Sequence, residues 1–338
     1  MEAMVIDLPG PIDGAPLISV SRSKPAPGNG ELLLRVEACA VCRTDLQLAE
    51  GDIAAKRMPW VPGHQIVGRV EAMGVGVEGW QVGERTGAAW LAGACGRCAF
   101  CTTERENLCL EARFMGWDRD GGFAEYATVD AAFALRLPDG LEAASVAPLL
   151  CGGVIGYRAL RRSGVQPGGR LGLFGYGASA HLALQVARHW GCDVYVFTRS
   201  QREQARALAT GATWAGGYDA SPGVALHAAV TFAPVGDVVI AALRAVDRGG
   251  VVAINAIHLD RIPRFSYDLL WWERELRSVA NFTRRDAREF LTLAAEIPIQ
   301  TEVQTFPLSE ANVALRRLKN GGLAGTAVLL PGDETRQR

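Results

Sequence analysis

Between about residues 31 and 150, apolar residues come in short alternating stretches broken by glycine and proline. Residues 31–38 (ELLLRVEA), 65–72 (QIVGRVEA) and 123–129 (FAEYATV) are examples. Strands of this kind at short spacing, with few helical stretches between them, predict an antiparallel, barrel-like β domain. From about residue 153 the rhythm changes. Residues 171–175 (LGLFG) form a short apolar run, and 179–190 read as a helix carrying Leu182, Ala183, Val186 and Trp190 on its apolar positions. A strand follows at 193–197 (DVYVF), then a helix-like 202–208, then further strand-like apolar runs at 238–241 and 250–255. Apolar strands alternating with helices predict βαβ units around a buried parallel sheet. After about 284 the pattern reads helix (285–295), strand (302–306), helix (309–319) and a last apolar strand (327–330).

The length, 338 residues, exceeds what a single core usually supports, so two domains are expected. A formal net charge of −1 offers no basic field to hold a polyanion, which argues against nucleic acid as a partner. No apolar run in the sequence approaches the ~20 residues of a membrane span. The first ten residues carry Asp7 and Pro9 and lack a basic-then-apolar leader, so a cytoplasmic address is expected.

Cysteine placement adds chemistry to this outline. Of eight cysteines, four crowd into Cys95, Cys98, Cys101 and Cys109, with spacing C-x2-C-x2-C-x7-C. Four thiolates this close can wrap one tetrahedral ion at little loop-closure cost, and a closed four-sulfur site is structural. An iron–sulfur cluster is the rival reading of the same spacing. The remaining motifs favour zinc.

A second motif lies at the change of rhythm. Gly175-Tyr-Gly177-Ala-Ser-Ala180 places G-x-G-x-x-A between a predicted strand and a predicted helix. Gly175 suits the tight turn, Gly177 a close approach of backbone to pyrophosphate, and Ala180 tight helix-to-strand packing. The helix N-terminus then offers free N–H groups to phosphate. At the end of the next strand, where a carboxylate normally takes the ribose hydroxyls of NAD, stand Thr198, Arg199 and Ser200. Hydroxyls and a guanidinium fork suit a 2′-phosphate instead, so NADP(H) is expected over NAD(H).

Three further stretches flank the cysteine loop: Cys42-Arg43-Thr44-Asp45, Gly63-His64-Gln65 and Cys151-Gly152-Gly153. In their order, with the two motifs above, the chain resembles the zinc-containing alcohol dehydrogenases of the medium-chain dehydrogenase/reductase family over nearly its whole length. The resemblance implies an α/β protein with a doubly wound parallel-sheet (Rossmann) cofactor domain, residues 153–283. It also implies a mainly antiparallel β, GroES-like catalytic domain, residues 1–152 and 284–338. Two zinc ions per chain are implied: a catalytic one on Cys42, His64 and Cys151, with a fourth position open, and a structural one on the four-cysteine loop. Asp45 would orient the His64 ring, and Thr44 would bond the substrate oxygen and pass its proton. Arg43 and Arg284 would contact the cofactor, and Trp90 would wall the substrate pocket, with Trp60 a weaker hint of the same.

Two departures from the family pattern stand out. Gln65 replaces the usual glutamate behind the zinc, which removes a charge. Gln47 replaces the histidine that ends the proton relay, and glutamine cannot titrate. Protons are then expected to leave from Thr44 by way of the nicotinamide ribose and water. The activity implied is hydride transfer between a nicotinamide cofactor and an alcohol/carbonyl pair, in a homodimer or homotetramer. Rival readings are a zinc-free quinone or enoyl reductase, a non-catalytic NADP(H)-binding sensor or regulator, and a zinc-ribbon module for nucleic acid. All seven candidate ligands are present, which opposes the first.

Overall fold

The computed structural model describes residues 1–256, 259–323 and 325–332. They fall into two compact units: Met1–Cys151 with Thr283–Arg338, and Gly152–Phe282.

In the first unit one strand organises the sheet. Glu31–Ala40 pairs antiparallel with Gln65–Met73, with Tyr126–Asp130 and with Thr326–Leu330. Arg85–Ala88 and Leu135–Arg136 extend the sheet on one side, and Val303–Pro307 adds a parallel strand on the other. Period-two alternation marks one face of the long strand, with Leu32, Leu34, Val36 and Ala38 buried; on the other face Arg35 is exposed, and Leu33 and Cys39 are covered as well. Their shared core includes Ile6, Ile66, Phe123 and Trp60. Trp60 is 1% exposed and its backbone pairs with Ile6. It is therefore core and not the pocket hint read from the sequence. The chain returns to this unit through a capped helix, Arg284–Glu296. The Thr283 hydroxyl accepts the Asp286 N–H at 3.1 Å and the Asp286 carboxylate accepts the Thr283 N–H at 2.9 Å.

The second unit is a six-stranded, wholly parallel sheet. Its spatial order is Trp214–Gly216, Asp193–Phe197, Arg170–Phe174, Leu226–Thr231, Val246–Ile254, Glu275–Ser278. Numbered in chain order this is 3-2-1-4-5-6, the doubly wound dinucleotide arrangement, with its reversal point between Arg170–Phe174 and Leu226–Thr231. Phe174 and Phe197 are register partners and stack at 4.1 Å between centroids. One sequence expectation fails here. Residues 238–241 belong to the helix Gly236–Ala245, and the strand before it is Leu226–Thr231. A second is corrected as well: Ala143–Ser163 is a 21-residue stretch long and apolar enough to cross a membrane, but 61% of its most apolar 18-residue window is buried in the protein, as for a core helix.

Candidate functional site

Cys42, His64 and Cys151 come from three separate turns of the first unit. Cys42 precedes the helix Arg43–Glu50, His64 leads into the strand Gln65–Met73, and Cys151 ends the 3₁₀ turn Ala147–Leu150. Their donor atoms all lie within 4.8 Å of one another. The two sulfurs are 3.9 Å apart. Sulfurs sharing a tetrahedral zinc at ~2.3 Å sit roughly 3.8 Å apart, whereas a disulfide requires about 2.05 Å. The spacing fits an ion.

One carboxylate builds this corner. Asp45 is fully buried. Its Oδ2 accepts the Cys42 N–H at 2.8 Å, while its Oδ1 accepts the Gly63 N–H at 3.2 Å and lies 3.0 Å from His64 Nδ1. That bond fixes the ring and turns Nε2 toward the sulfurs. Gly63 is obligatory: its φ is +98°, and a Cβ would stand 2.4 Å from the Phe123 ring. Burial works against a charged His64, yet the Asp45 carboxylate and the Cys42 sulfur beside it raise its pKa to about 10. The Cys151 hydrogen bond pushes the Cys42 thiol well down, and the same contact pushes Cys151 up.

Around it, the Thr44 hydroxyl lies 3.8 Å from Cys42 Sγ and is buried. Gln47 follows three residues on, half-buried on the same helix. Gln65 is buried and donates to the Ala40 carbonyl at 3.2 Å. Arg43 is exposed at the start of the helix. Trp90 meets the His64 ring edge-on, 5.0 Å between centroids.

The four-cysteine loop closes on itself. Cys95, Cys98, Cys101 and Cys109 offer sulfurs within 4.8 Å of one another, with Cys95–Cys101 at 3.9 Å and Cys98–Cys101 at 3.6 Å. Backbone N–H groups of Arg97 and Cys98 pull the Cys95 thiol down to about 6, favouring the thiolate a metal needs. Arg284 belongs to this neighbourhood. Its backbone N–H and Nε both bond the buried Glu106 carboxylate, at 2.9 and 3.1 Å, and its guanidinium lies over Phe133.

In the second unit the glycine loop joins Arg170–Phe174 to the helix Ala178–His189. Gly175 has φ +91°, and a Cβ there would come within 2.8 Å of the Ala233 nitrogen. Gly177 differs: its backbone is extended, and a Cβ would meet nothing within 4 Å. The protein's own packing does not demand glycine there. The backbone there is open, and no side chain caps the helix it precedes. Ala180 is fully buried. At the end of the next strand Thr198 is buried, Arg199 and Ser200 are exposed, and Ser200 accepts the Glu203 N–H as helix cap. Tyr218 stands near enough to Arg199 to feel its charge; burial raises its phenol and the guanidinium opposes this.

Phe114 and Trp117 were missed in the sequence. They pack on Trp90 because Leu91–Gly93 pairs with Arg113–Phe114. The signal was the aromatic pair just after the cysteine loop, and only strand pairing gave it meaning.

The doubly wound sheet, with a glycine turn after its first strand, has the dinucleotide-binding arrangement, and each of the two donor clusters could hold a metal ion. Comparison with known proteins agrees. Residues 28–139 match the alcohol dehydrogenase GroES-like domain. A protein described as "Probable alcohol dehydrogenase AdhA" from Mycobacterium tuberculosis (strain CDC 1551 / Oshkosh) is 48% identical over 336 residues, covering 98% of this chain and 97% of its own. An alcohol dehydrogenase of Geobacillus stearothermophilus is 35% identical over 315 residues, 90% of this chain and 93% of its own. Among solved structures, a cobalt- and zinc-bound thermostable alcohol dehydrogenase from Pyrobaculum aerophilum superposes with a TM-score of 0.88 at 24% identity, over 98% and 99% of the two chains. The chain belongs to the alcohol dehydrogenases that carry a GroES-like domain.

Proposed function

We propose that the protein is a zinc-dependent alcohol dehydrogenase and carbonyl reductase that moves a hydride between NADP(H) and a primary or secondary alcohol/carbonyl pair. The observation that carries this reading is the convergence of Cys42, His64 and Cys151 on one point, with three donors where a tetrahedral ion takes four. Those residues would hold one zinc, and Cys95, Cys98, Cys101 and Cys109 a second, structural one. A zinc ion on three donors supplies Lewis acidity toward an alcohol or carbonyl oxygen, and NADP(H) supplies or accepts the hydride.

The chain's own residues have the remaining tasks. Asp45 holds the His64 ring in one tautomer and orientation. Thr44 holds the proton of the reacting hydroxyl, and Gln47, unable to titrate, leaves that proton to exit to solvent without a histidine. Gln65 fills the space behind the donors without adding charge. Arg43, Gly175, Gly177, Ala180, Thr198, Arg199 and Ser200 are assigned to the cofactor, the last three to its 2′-phosphate. Arg284 holds Glu106 through its backbone N–H and Nε, and we assign its terminal guanidinium nitrogens to the cofactor. Trp90 is assigned to the substrate.

We also propose a homo-oligomer, a dimer or a tetramer. Glu275–Ser278 ends the parallel sheet, and Tyr267, Trp271 and Trp272 are exposed just before it, a surface suited to two-fold pairing. Closely spaced free thiols fit a reducing compartment, taken here as the cytoplasm.

The deciding experiment measures zinc content together with NADPH and NADH oxidation over aldehydes of graded size, before and after chelation. Two zincs per chain, loss of turnover with the metal and higher efficiency with NADPH are expected. Full turnover in stripped enzyme overturns the zinc assignment, and equal or better efficiency with NADH overturns the 2′-phosphate assignment. Because Gln47 and Gln65 depart from the family pattern, NADP(H) binding without turnover of any aldehyde would favour a sensor.

A further inference from the structure

The four-cysteine loop carries a buried carboxylate that is not among its metal donors. Glu106 is 2% exposed and lies between Cys101 and Cys109. It opens the 3₁₀ turn Glu106–Leu108, and its backbone carbonyl accepts the Cys109 N–H at 3.1 Å. Folding the loop around its sulfurs therefore fixes the backbone from which this carboxylate projects.

Its Oε1 accepts two bonds from one residue, the Arg284 backbone N–H at 2.9 Å and Arg284 Nε at 3.1 Å. The backbone N–H belongs to the first turn of the helix Arg284–Glu296, where the helix dipole also favours a carboxylate. The Nε bond, with the guanidinium carbon 4.7 Å from the Phe133 centroid, fixes the plane of the group. Four N–H donors remain on the two terminal nitrogens. Among the described residues they meet one acceptor, the Ala132 carbonyl at 3.4 Å, and the side chain is 33% exposed. The loop's other ion pair to this helix, Glu104 with Arg285 at 3.4 Å, is exposed and adds little.

We propose that Glu106 is a positioning residue for the cofactor: the four-cysteine loop, folded on its ion, holds Arg284 ready for phosphate through this carboxylate. Occupancy of that ion site then sets cofactor affinity as well as local stability. The proposal rests on the reading above, in which the terminal nitrogens of Arg284 go to the cofactor. An arginine already held by Nε and by one face loses less freedom on binding than a loose one. Immobilising one long side chain accounts for about two- to tenfold in affinity.

Fluorescence titration with NADPH gives dissociation constants for zinc-loaded wild type, Glu106→Ala, Glu106→Gln, Arg284→Ala and the double alanine variant. Glu106→Ala should bind NADPH about two- to tenfold more weakly, and Glu106→Gln, which keeps an acceptor, should recover most of that loss. In the Arg284→Ala background, Glu106→Ala should have no further effect, an outcome that a merely structural role would not produce. Linkage supplies a second readout that needs no Glu106 variant. In Cys151→Ser protein the four-cysteine loop is the intact donor set that remains among the described residues. There saturating NADPH should raise zinc affinity about two- to tenfold by chelator competition, and adding Arg284→Ala should abolish the rise. Unchanged or tighter NADPH binding in Glu106→Ala, beside weaker binding in Arg284→Ala, overturns the proposal. Zinc affinity that ignores NADPH in Cys151→Ser overturns it too. Failure of the underlying cofactor assignment has a different signature: Arg284→Ala then binds NADPH as tightly as wild type.

Discussion

An Asp45→Asn substitution changes one atom and one charge at the point where contacts from Cys42, Gly63 and His64 meet. The carboxylate accepts from Cys42 N–H through Oδ2, and its Oδ1 serves Gly63 N–H and His64 Nδ1. An asparagine that keeps its carbonyl toward Gly63 and His64 must turn its amide toward the Cys42 N–H, donor against donor. Leaving that buried N–H unsatisfied costs about 1–3 kcal/mol. His64 also loses its ionised partner, and such a loss typically weakens metal binding about 10- to 100-fold, roughly 1.4–2.7 kcal/mol at ~1.36 per decade. Stepwise zinc removal by graded chelators, with metal counted by mass spectrometry, reads this directly. Asp45 makes none of the contacts of the four-cysteine loop, so the second ion is a control within the same molecule. One zinc should leave about 10 to 100 times more readily and the other as in wild type. If both leave as in wild type, or both weaken together, the role given to Asp45 is wrong.

Other outcomes follow from neighbouring contacts. Arg199→Ala should lower the ratio of NADPH to NADH efficiency by about tenfold or more, since a charge-assisted bond to phosphate is worth about 1.5–3 kcal/mol; steady-state kinetics with both cofactors check it. Glu106 is pushed up by burial but pulled net below its ordinary 4.5 by the Arg284 N–H and guanidinium. Its stabilisation is therefore present above about pH 4.5 and lost as pH falls through the lower folded value. Glu106→Gln should lower the unfolding free energy, measured by urea titration at neutral pH, by about 1–2 kcal/mol, with Arg284 partly exposed, and the gap to wild type should shrink as pH falls below the ordinary carboxylate value. Gln47→His should alter the pH–rate profile below about pH 8, where imidazole titrates; an unchanged profile removes the proton route without histidine.

Much of the architecture was legible because it depends on local repetition. Period-two runs marked Glu31–Ala40 and Gln65–Met73, and helical spacing marked Ala178–His189, Arg284–Glu296 and Ala311–Lys319. The failure at 238–241 has a physical reason. Val238, Val239 and Ile240 are β-branched and buried, and a short apolar run in a core looks the same whether helical or extended. The four-cysteine spacing was readable because its ligands are neighbours in sequence as well as in space.

What the sequence determined alone was the inventory: sulfur, imidazole and glycine at spacings few other folds would use, and a strand–helix rhythm that closes into a parallel sheet. Tertiary structure decided how that inventory is shared out. It buried Trp60 in the β core, turned Arg284 onto Glu106, and set Phe114 and Trp117 beside Trp90 across a two-residue strand. Each of these depends on which backbone passes next to which, and pairing between distant segments is a property of the folded whole that no local pattern encodes.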